Sequence, residues 1–214
     1  VPDRFGEPRY NIDLPYQFDQ LSNRLLLKEN MFTNNKLLKI AAAVATLMAA
    51  QSSFAQDFID SASVDLATGT RTQMVRFGAQ SDWSARWFQS NGTHLSGYWD
   101  ASVGIWRANH FENIPGATQR LWDIGIDPVF RWENDSKKGI YYEGGIGFHR
   151  LSKLYDNDTY RLSTHFQFGD HIGIGYVFNN KWEIGAKVEH FSNGGYKKPN
   201  TGVNFLDIKT SYHF

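Results

Sequence analysis

Cysteine is absent from the 214 residues, which excludes a disulfide framework and a thiolate metal site. No sign of charge prevails: 22 Lys and Arg stand against 22 Asp and Glu. That balance gives no reason to expect a polyanion partner, so no nucleic acid is expected. Long apolar runs are scarce, and the most continuous one, Ile40 to Ala50, is too short to span a bilayer as a helix, which takes roughly 20 residues. What the chain has instead is 7 Trp, 10 Tyr, 16 Phe and 19 Gly. Aromatic side chains and glycine-rich turns without helical periodicity are the profile of a β protein.

The short apolar run belongs to "MFTNNKLLKIAAAVATLMAAQSSFAQ", which starts at Met31. Lys36 and Lys39 form a positive head, Ile40 to Ala50 an apolar middle, and Ser53 to Ala55 a small-x-small cleavage signal. This three-part pattern reads as a secretory signal peptide over 31–55, cut before Gln56. Residues 1–30 then read as an upstream extension, with Met31 as the initiator. The functional chain is expected to be 56–214.

Within 56–214 the apolar residues alternate with period two, broken by Gly, Asn, Asp and Pro. The alternation predicts eight strands, near 59–67, 72–83, 93–107, 119–132, 140–151, 163–178, 181–192 and 203–214. In "LSGYWDASVGIW" one face carries Trp99, Ala101, Val103 and Ile105, the other Tyr98, Asp100, Ser102 and Gly104. In "KWEIGAKVEH" one face carries Trp182, Ile184, Ala186 and Val188, the other Glu183, Lys187 and Glu189. A soluble lipocalin-like barrel would turn the apolar face inward. A membrane barrel turns it toward lipid, with aromatic girdles and an even strand count. Trp83, Trp87, Phe88, Trp106, Trp132, Tyr155, Tyr160, Phe178 and Trp182 cluster near strand ends as girdles would. With the signal peptide and the aromatic C-terminal strand, they favour an all-β fold, an eight-stranded antiparallel outer-membrane β-barrel.

Eight strands enclose room for side chains and no channel. Asp100, Asp123, Asp127, Arg131, Glu143, Glu183, Lys187 and Glu189 have inward parity and are expected to pair as ions inside. His94, His110, His149, His165, His171 and His213 show no metal-ligand spacing. No metal and no cofactor are expected.

One segment breaks the pattern. In "HFSNGGYKKPN" His190 and Ser192 continue the lipid-facing series of the seventh strand. Counting strands from the periplasm places them at the cell-surface end. Polar groups facing lipid carry a functional reading by default. A serine hydroxyl becomes a nucleophile when a base takes its proton, and imidazole can do so near neutral pH. Asn204 shares the outward face of the last strand, at the same end, and is the candidate third member. Asn193, Gly194, Gly195 and Asn200 follow the serine and could turn amides toward an oxyanion.

The segment "HFSNGGYKKPNTGVN" resembles the PagL-type lipid A 3-O-deacylases, as do "SGYWDASVGIW", "PVFRWE", "YYEGGIG" and "IGIGYVF" in matching order. The resemblance covers nearly all of 56–214 and none of 1–55. It implies an outer-membrane barrel that hydrolyses the ester-linked 3-position acyl chain of lipid A in the outer leaflet. Lipopolysaccharide and the membrane are then its partners, and its assembly is open between a monomer and a homodimer. The resemblance makes Ser192 the nucleophile, His190 the general base, and Asn193, Gly195 and Asn200 oxyanion or architectural residues. It implies a glutamate where Asn204 stands. An asparagine can hold an imidazole through its carbonyl but supplies no charge. Help from another acid would be needed, and Asp207 has inward parity. The alternative function is a non-enzymatic barrel, an adhesin or a lipid-binding structural protein.

Overall fold

A computed structural model describes residues 58–214. The expected extension over 1–30 and the signal peptide over 31–55 lie outside the described residues. Eleven strands follow in order: β1 Ser61–Gly69, β2 Thr72–Asp82, β3 Trp87–Ser90, β4 Thr93–Ala108, β5 Gln119–Asn134, β6 Gly139–Leu151, β7 Tyr155–Asn157, β8 Tyr160–Leu162, β9 Phe166–Val177, β10 Trp182–Ser192 and β11 Val203–His213.

Eight of these close a barrel in the order β1, β2, β4, β5, β6, β9, β10, β11, with β11 returning to β1. Every pairing is antiparallel, and closure runs from Ser61↔His213 to Gly69↔Phe205. The eight expected strands are these eight, displaced by a few residues at their ends. Two additions were not foreseen. β3 is a four-residue flap that pairs with the start of β4. β7 and β8 form a small hairpin in the connection between β6 and β9.

Alternation sorts the side chains as the pattern requires. Outward positions such as Val103, Ile105, Ile124, Ile126, Ile172, Val188, Leu206 and Ile208 are exposed, which on a closed barrel is a lipid-facing belt. One end carries tight aromatic packing on the outside: Trp83 meets Trp87, Trp99 and Phe130 edge-on, and Trp182 meets Tyr212. The opposite end carries Phe148, Phe166 and Phe168 in contact. Apart from the β2–β4 connection that carries β3, the turns at the first end are short, and the connections β4–β5, β6–β9 and β10–β11 at the second are longer. Longer loops mark the extracellular end of such barrels, here called the outer end.

The interior is ionic in the middle. Arg131 binds Glu143 at 2.7 Å and Glu183 at 2.9 Å, and lies over the Tyr141 ring. Arg76 binds Glu189 at 2.8 Å, and Lys187 binds Asp65 at 2.9 Å. All eight residues given inward parity are buried. Charges withdrawn from water need partners, because an unpaired buried ion costs several kcal/mol.

Below the outer mouth the filling changes to rings. Trp106 packs edge-on against Tyr155, Phe191 and Phe205. The girdle expectation is therefore corrected for three residues: Trp106 and Tyr155 are buried inside, 0% and 1% exposed, and Tyr160 packs against the same cluster. Trp106 has the parity of Asp100 rather than Trp99, and its indole N–H donates to Asp123 at 2.7 Å. That plug gives the outer end of β10 a rigid backing.

Candidate active site

The local fold at the end of β10 follows from three consecutive residues. Phe191 points inward and is fully buried against Trp106, Phe205 and the ring of His149. Its anchoring turns His190 and Ser192, on either side, to the outer surface, where both are half-buried. A slip of one residue would bury the polar pair and expose the phenyl ring.

Register supplies the next contact. His190 stands opposite Asn204 of β11. Its Nδ1 lies 2.6 Å from Asn204 Oδ1. The amide carbonyl is an acceptor, so Nδ1 carries the proton and Nε2 carries the free lone pair. Among the described residues no hydrogen bond joins Nε2 to Ser192 Oγ. The hydroxyl instead accepts a long 3.4 Å contact from the backbone N–H of Gly194.

Gly202 fixes the ring from the other side. It is buried, with φ of 72°, a conformation that favours glycine. A Cβ there would lie 3.0 Å from His190 Nε2 and collide with Cε1. The imidazole therefore occupies a recess that only a glycine leaves open.

The loop after Ser192 is tied to itself and to the β7–β8 hairpin. Asn193 is buried; its N–H donates to Asn200 Oδ1 at 3.1 Å, and its Nδ2 donates to the Lys197 carbonyl at 2.8 Å. Its Oδ1 accepts the Gly195 N–H at 3.0 Å. Ser163 donates to the Lys197 carbonyl at 2.7 Å, and Arg161 N–H donates to Thr201 Oγ1 at the same distance. Asn200 bridges to Leu162. The structure thus brings Asn193, Gly195 and Asn200 together with Ser192. It engages the N–H groups of Asn193 and Gly195 within the loop. The Gly194 N–H, whose one contact among the described residues is the long one to Ser192 Oγ, is the backbone donor nearest the hydroxyl.

Two residues here escaped sequence reasoning. Gly202 was visible as a glycine in the loop, but its role depends on where the ring falls. Asp170 of β9 stands opposite His190 on the side away from Asn204, exposed on the outward face. It is an acid at the neighbouring register position, with no hydrogen bond or ion pair to the ring among the described residues, while Asp207 is buried inside as its parity required. Below the pair, Ile172, Ile174, Ala186, Val188 and Leu206 line an apolar groove on the lipid-facing surface. Ala186 forms its floor between the larger Ile174 and Ile208. The geometry sets a hydroxyl, an imidazole held at Nδ1 and an apolar slot side by side on the lipid-facing surface.

Comparison with known proteins decides the family. The family described as Lipid A 3-O-deacylase (PagL) matches residues 73–213. The chain belongs to the PagL family. The match runs from β2 to β11 and takes in the whole segment from His190 to Asn204. The lipid A deacylase PagL of Pseudomonas aeruginosa is 35% identical over 175 residues, covering 81% of this chain and 95% of that protein. The lipid A deacylase PagL of Bordetella bronchiseptica is 37% identical over 94 residues, 44% of this chain and 51% of that protein. The crystal structure of the outer membrane enzyme PagL superposes with a TM-score of 0.62 at 27% identity, covering 72% of this chain and 99% of that one. As a PagL-family barrel, the chain is an outer-membrane protein whose strands cross the bilayer.

Proposed function

We propose that this PagL-family barrel is a lipid A 3-O-deacylase that works as a serine esterase in the outer leaflet. The observation that carries the reading is the His190–Asn204 contact at 2.6 Å beside Ser192 on the lipid-facing surface. It leaves Nε2 as a proton acceptor where a membrane ester can reach it.

In this mechanism Asn204 holds Nδ1–H, and His190 Nε2 takes the proton from Ser192 Oγ as the oxygen attacks the ester carbonyl. A change of the Ser192 rotamer brings the hydroxyl to Nε2. The carbonyl oxygen becomes an oxyanion facing the Gly194 N–H and the Asn200 amide. Collapse breaks the bond to the sugar oxygen, which leaves with the proton from His190. Water, deprotonated by the same imidazole, then releases the fatty acid and restores Ser192. Asp170 supplies the negative charge toward imidazolium that Asn204 lacks. The apolar groove below the pair takes the acyl chain by packing and shape, since the chain comes from surroundings as apolar as the groove.

Mass spectrometry of lipid A from cells making the protein tests the reading. Loss of one 3-position acyl chain is expected with the parent, and none with Ser192→Ala or His190→Ala. Unchanged lipid A with the parent supports a non-enzymatic barrel instead. Deacylation by Ser192→Ala removes the serine assignment.

A further inference from the structure

Charge at the outer rim is answered within the protein in some places and not in others. Arg71 pairs with Asp158, and Arg161 with Asp156. On β4, however, the outward series Trp99, Ala101, Val103, Ile105 ends in Arg107, and on β5 the series Ile126, Ile124, Trp122 ends in Arg120. Register sets Arg107 opposite Arg120 on one face. Gln73 of β2 stands opposite Arg107 from the other side. All three are exposed. Neither guanidinium has an ion-pair or hydrogen-bond partner among the described residues.

Like charges directly opposite each other in an antiparallel pair repel. The next outward pair down the ladder is Ile105↔Trp122, so the row stands at the upper edge of the apolar belt. Tryptophan at such an edge marks the headgroup level. An anion lying between the two arginines turns the repulsion into attraction. A phosphate suits them best, because the planar guanidinium fork donates two parallel N–H bonds to its oxygens. The Gln73 amide adds a neutral donor beside them.

We propose that Gln73, Arg107 and Arg120 hold the phosphate group of an outer-leaflet lipid against the β2–β4–β5 wall. A lipid fits better than free phosphate because the row continues directly into the apolar belt, which takes acyl chains while the headgroup is held. The wall lies away from Ser192, with β6 and β9 intervening between β5 and β10. The inference therefore does not rest on the proposed reaction. It describes a bound lipid rather than a second catalytic centre.

Thermal unfolding of the full chain in neutral detergent tests it, with Ser192→Ala as the parent so that no lipid is consumed. The probes are diphosphorylated lipid A, the same lipid A without phosphates, and inorganic phosphate. In the parent the diphosphorylated lipid raises the midpoint more than the dephosphorylated one. In Arg107→Gln/Arg120→Gln that difference disappears, and apparent affinity for the diphosphorylated lipid falls about tenfold. Without lipid, the double variant melts at or above the parent, because the mutual repulsion is gone. The proposal is overturned by a phosphate-dependent shift equal in parent and double variant, or by its absence in both. A shift of the same size from inorganic phosphate alone overturns the lipid assignment. A double variant that melts lower without lipid also overturns the proposal, since the arginines would then stabilise the protein by themselves.

Discussion

The two faces of β10 treat polar groups in opposite ways. On the inner face Glu183, Lys187 and Glu189 each meet an oppositely charged partner, Arg131, Asp65 and Arg76. On the outer face His190 makes one side-chain hydrogen bond, to Asn204, and Ser192 receives one long contact. Inside, charge is neutralised and fixed in place. Outside, the imidazole is held by one short hydrogen bond and the Ser192 hydroxyl by one long contact. On the proposed mechanism, the contrast separates polar residues that hold a barrel together from those that do chemistry on it: the second kind keep bonding capacity in reserve. It is sharpest at Phe191, whose buried ring joins the two faces and lets the inner plug position the outer pair.

Substitutions on the two faces should therefore fail differently. The largest effect is expected from Ser192→Ala, which should lower deacylation by at least about 10³-fold, since removing the proposed nucleophile leaves only binding and oxyanion contributions. Stability should stay within about 0.5 kcal/mol, as for surface changes generally. Arg131→Met should do the reverse. It leaves Glu143 and Glu183 buried beside each other without their cation, and should cost about 3–5 kcal/mol of stability. Denaturant unfolding in detergent measures this, and activity per folded molecule should hold. A large loss of activity per folded molecule in Arg131→Met would break the division between the faces.

Gly202→Ala addresses the positioning itself. The added methyl group collides with the His190 ring, and φ at 72° is strained for alanine. Displacing a catalytic ring by about 1 Å can cost about 10²-fold in rate. The loss should appear in kcat at nearly unchanged KM, because the acyl groove below is untouched. A parent-like kcat would mean that the ring has room to move without consequence.

Most of the barrel was legible because alternation is a local property. Trp99 through Ile105 and Trp182 through Val188 declare their faces without reference to anything else, and inward parity alone placed all the interior ions named from it. Short elements were not legible. β7 and β8 have three residues each, too few to show a period, and β3 is exposed along its whole length. The site divided along the same line. That His190, Ser192 and Asn204 come together could be read because two strands with one connecting loop fix their register. Asp170 could not: it lies 20 residues before His190, and its position depends on the register between β9 and β10. His149 was set aside as one scattered histidine among several, yet it joins Asp123 at 2.8 Å and Asp127 at 3.1 Å and supports Phe191 edge-on. No spacing in the sequence signals that contact, because its partners come from β5 and β10.

The smallest expected effect discriminates most finely. Asn204 and Asp170 flank His190 from neighbouring strands, one holding the imidazole and the other carrying charge. If the two share the work of one acidic residue, their substitutions must couple. Asn204→Ala should lower kcat, and Asn204→Glu should keep or raise it. Asp170→Asn alone should lower kcat about fivefold to tenfold, the scale of an exposed charge contact near 1 kcal/mol. In the Asn204→Glu background the same change should matter much less, because the introduced carboxylate then supplies the charge directly. Raising the salt concentration should shrink the Asp170 effect through screening. Equal losses in both backgrounds would show that Asp170 acts independently, and a loss confined to KM would make it a substrate contact. Coupling in kcat alone would place the missing acid of the triad on β9, reached across the sheet rather than along the chain.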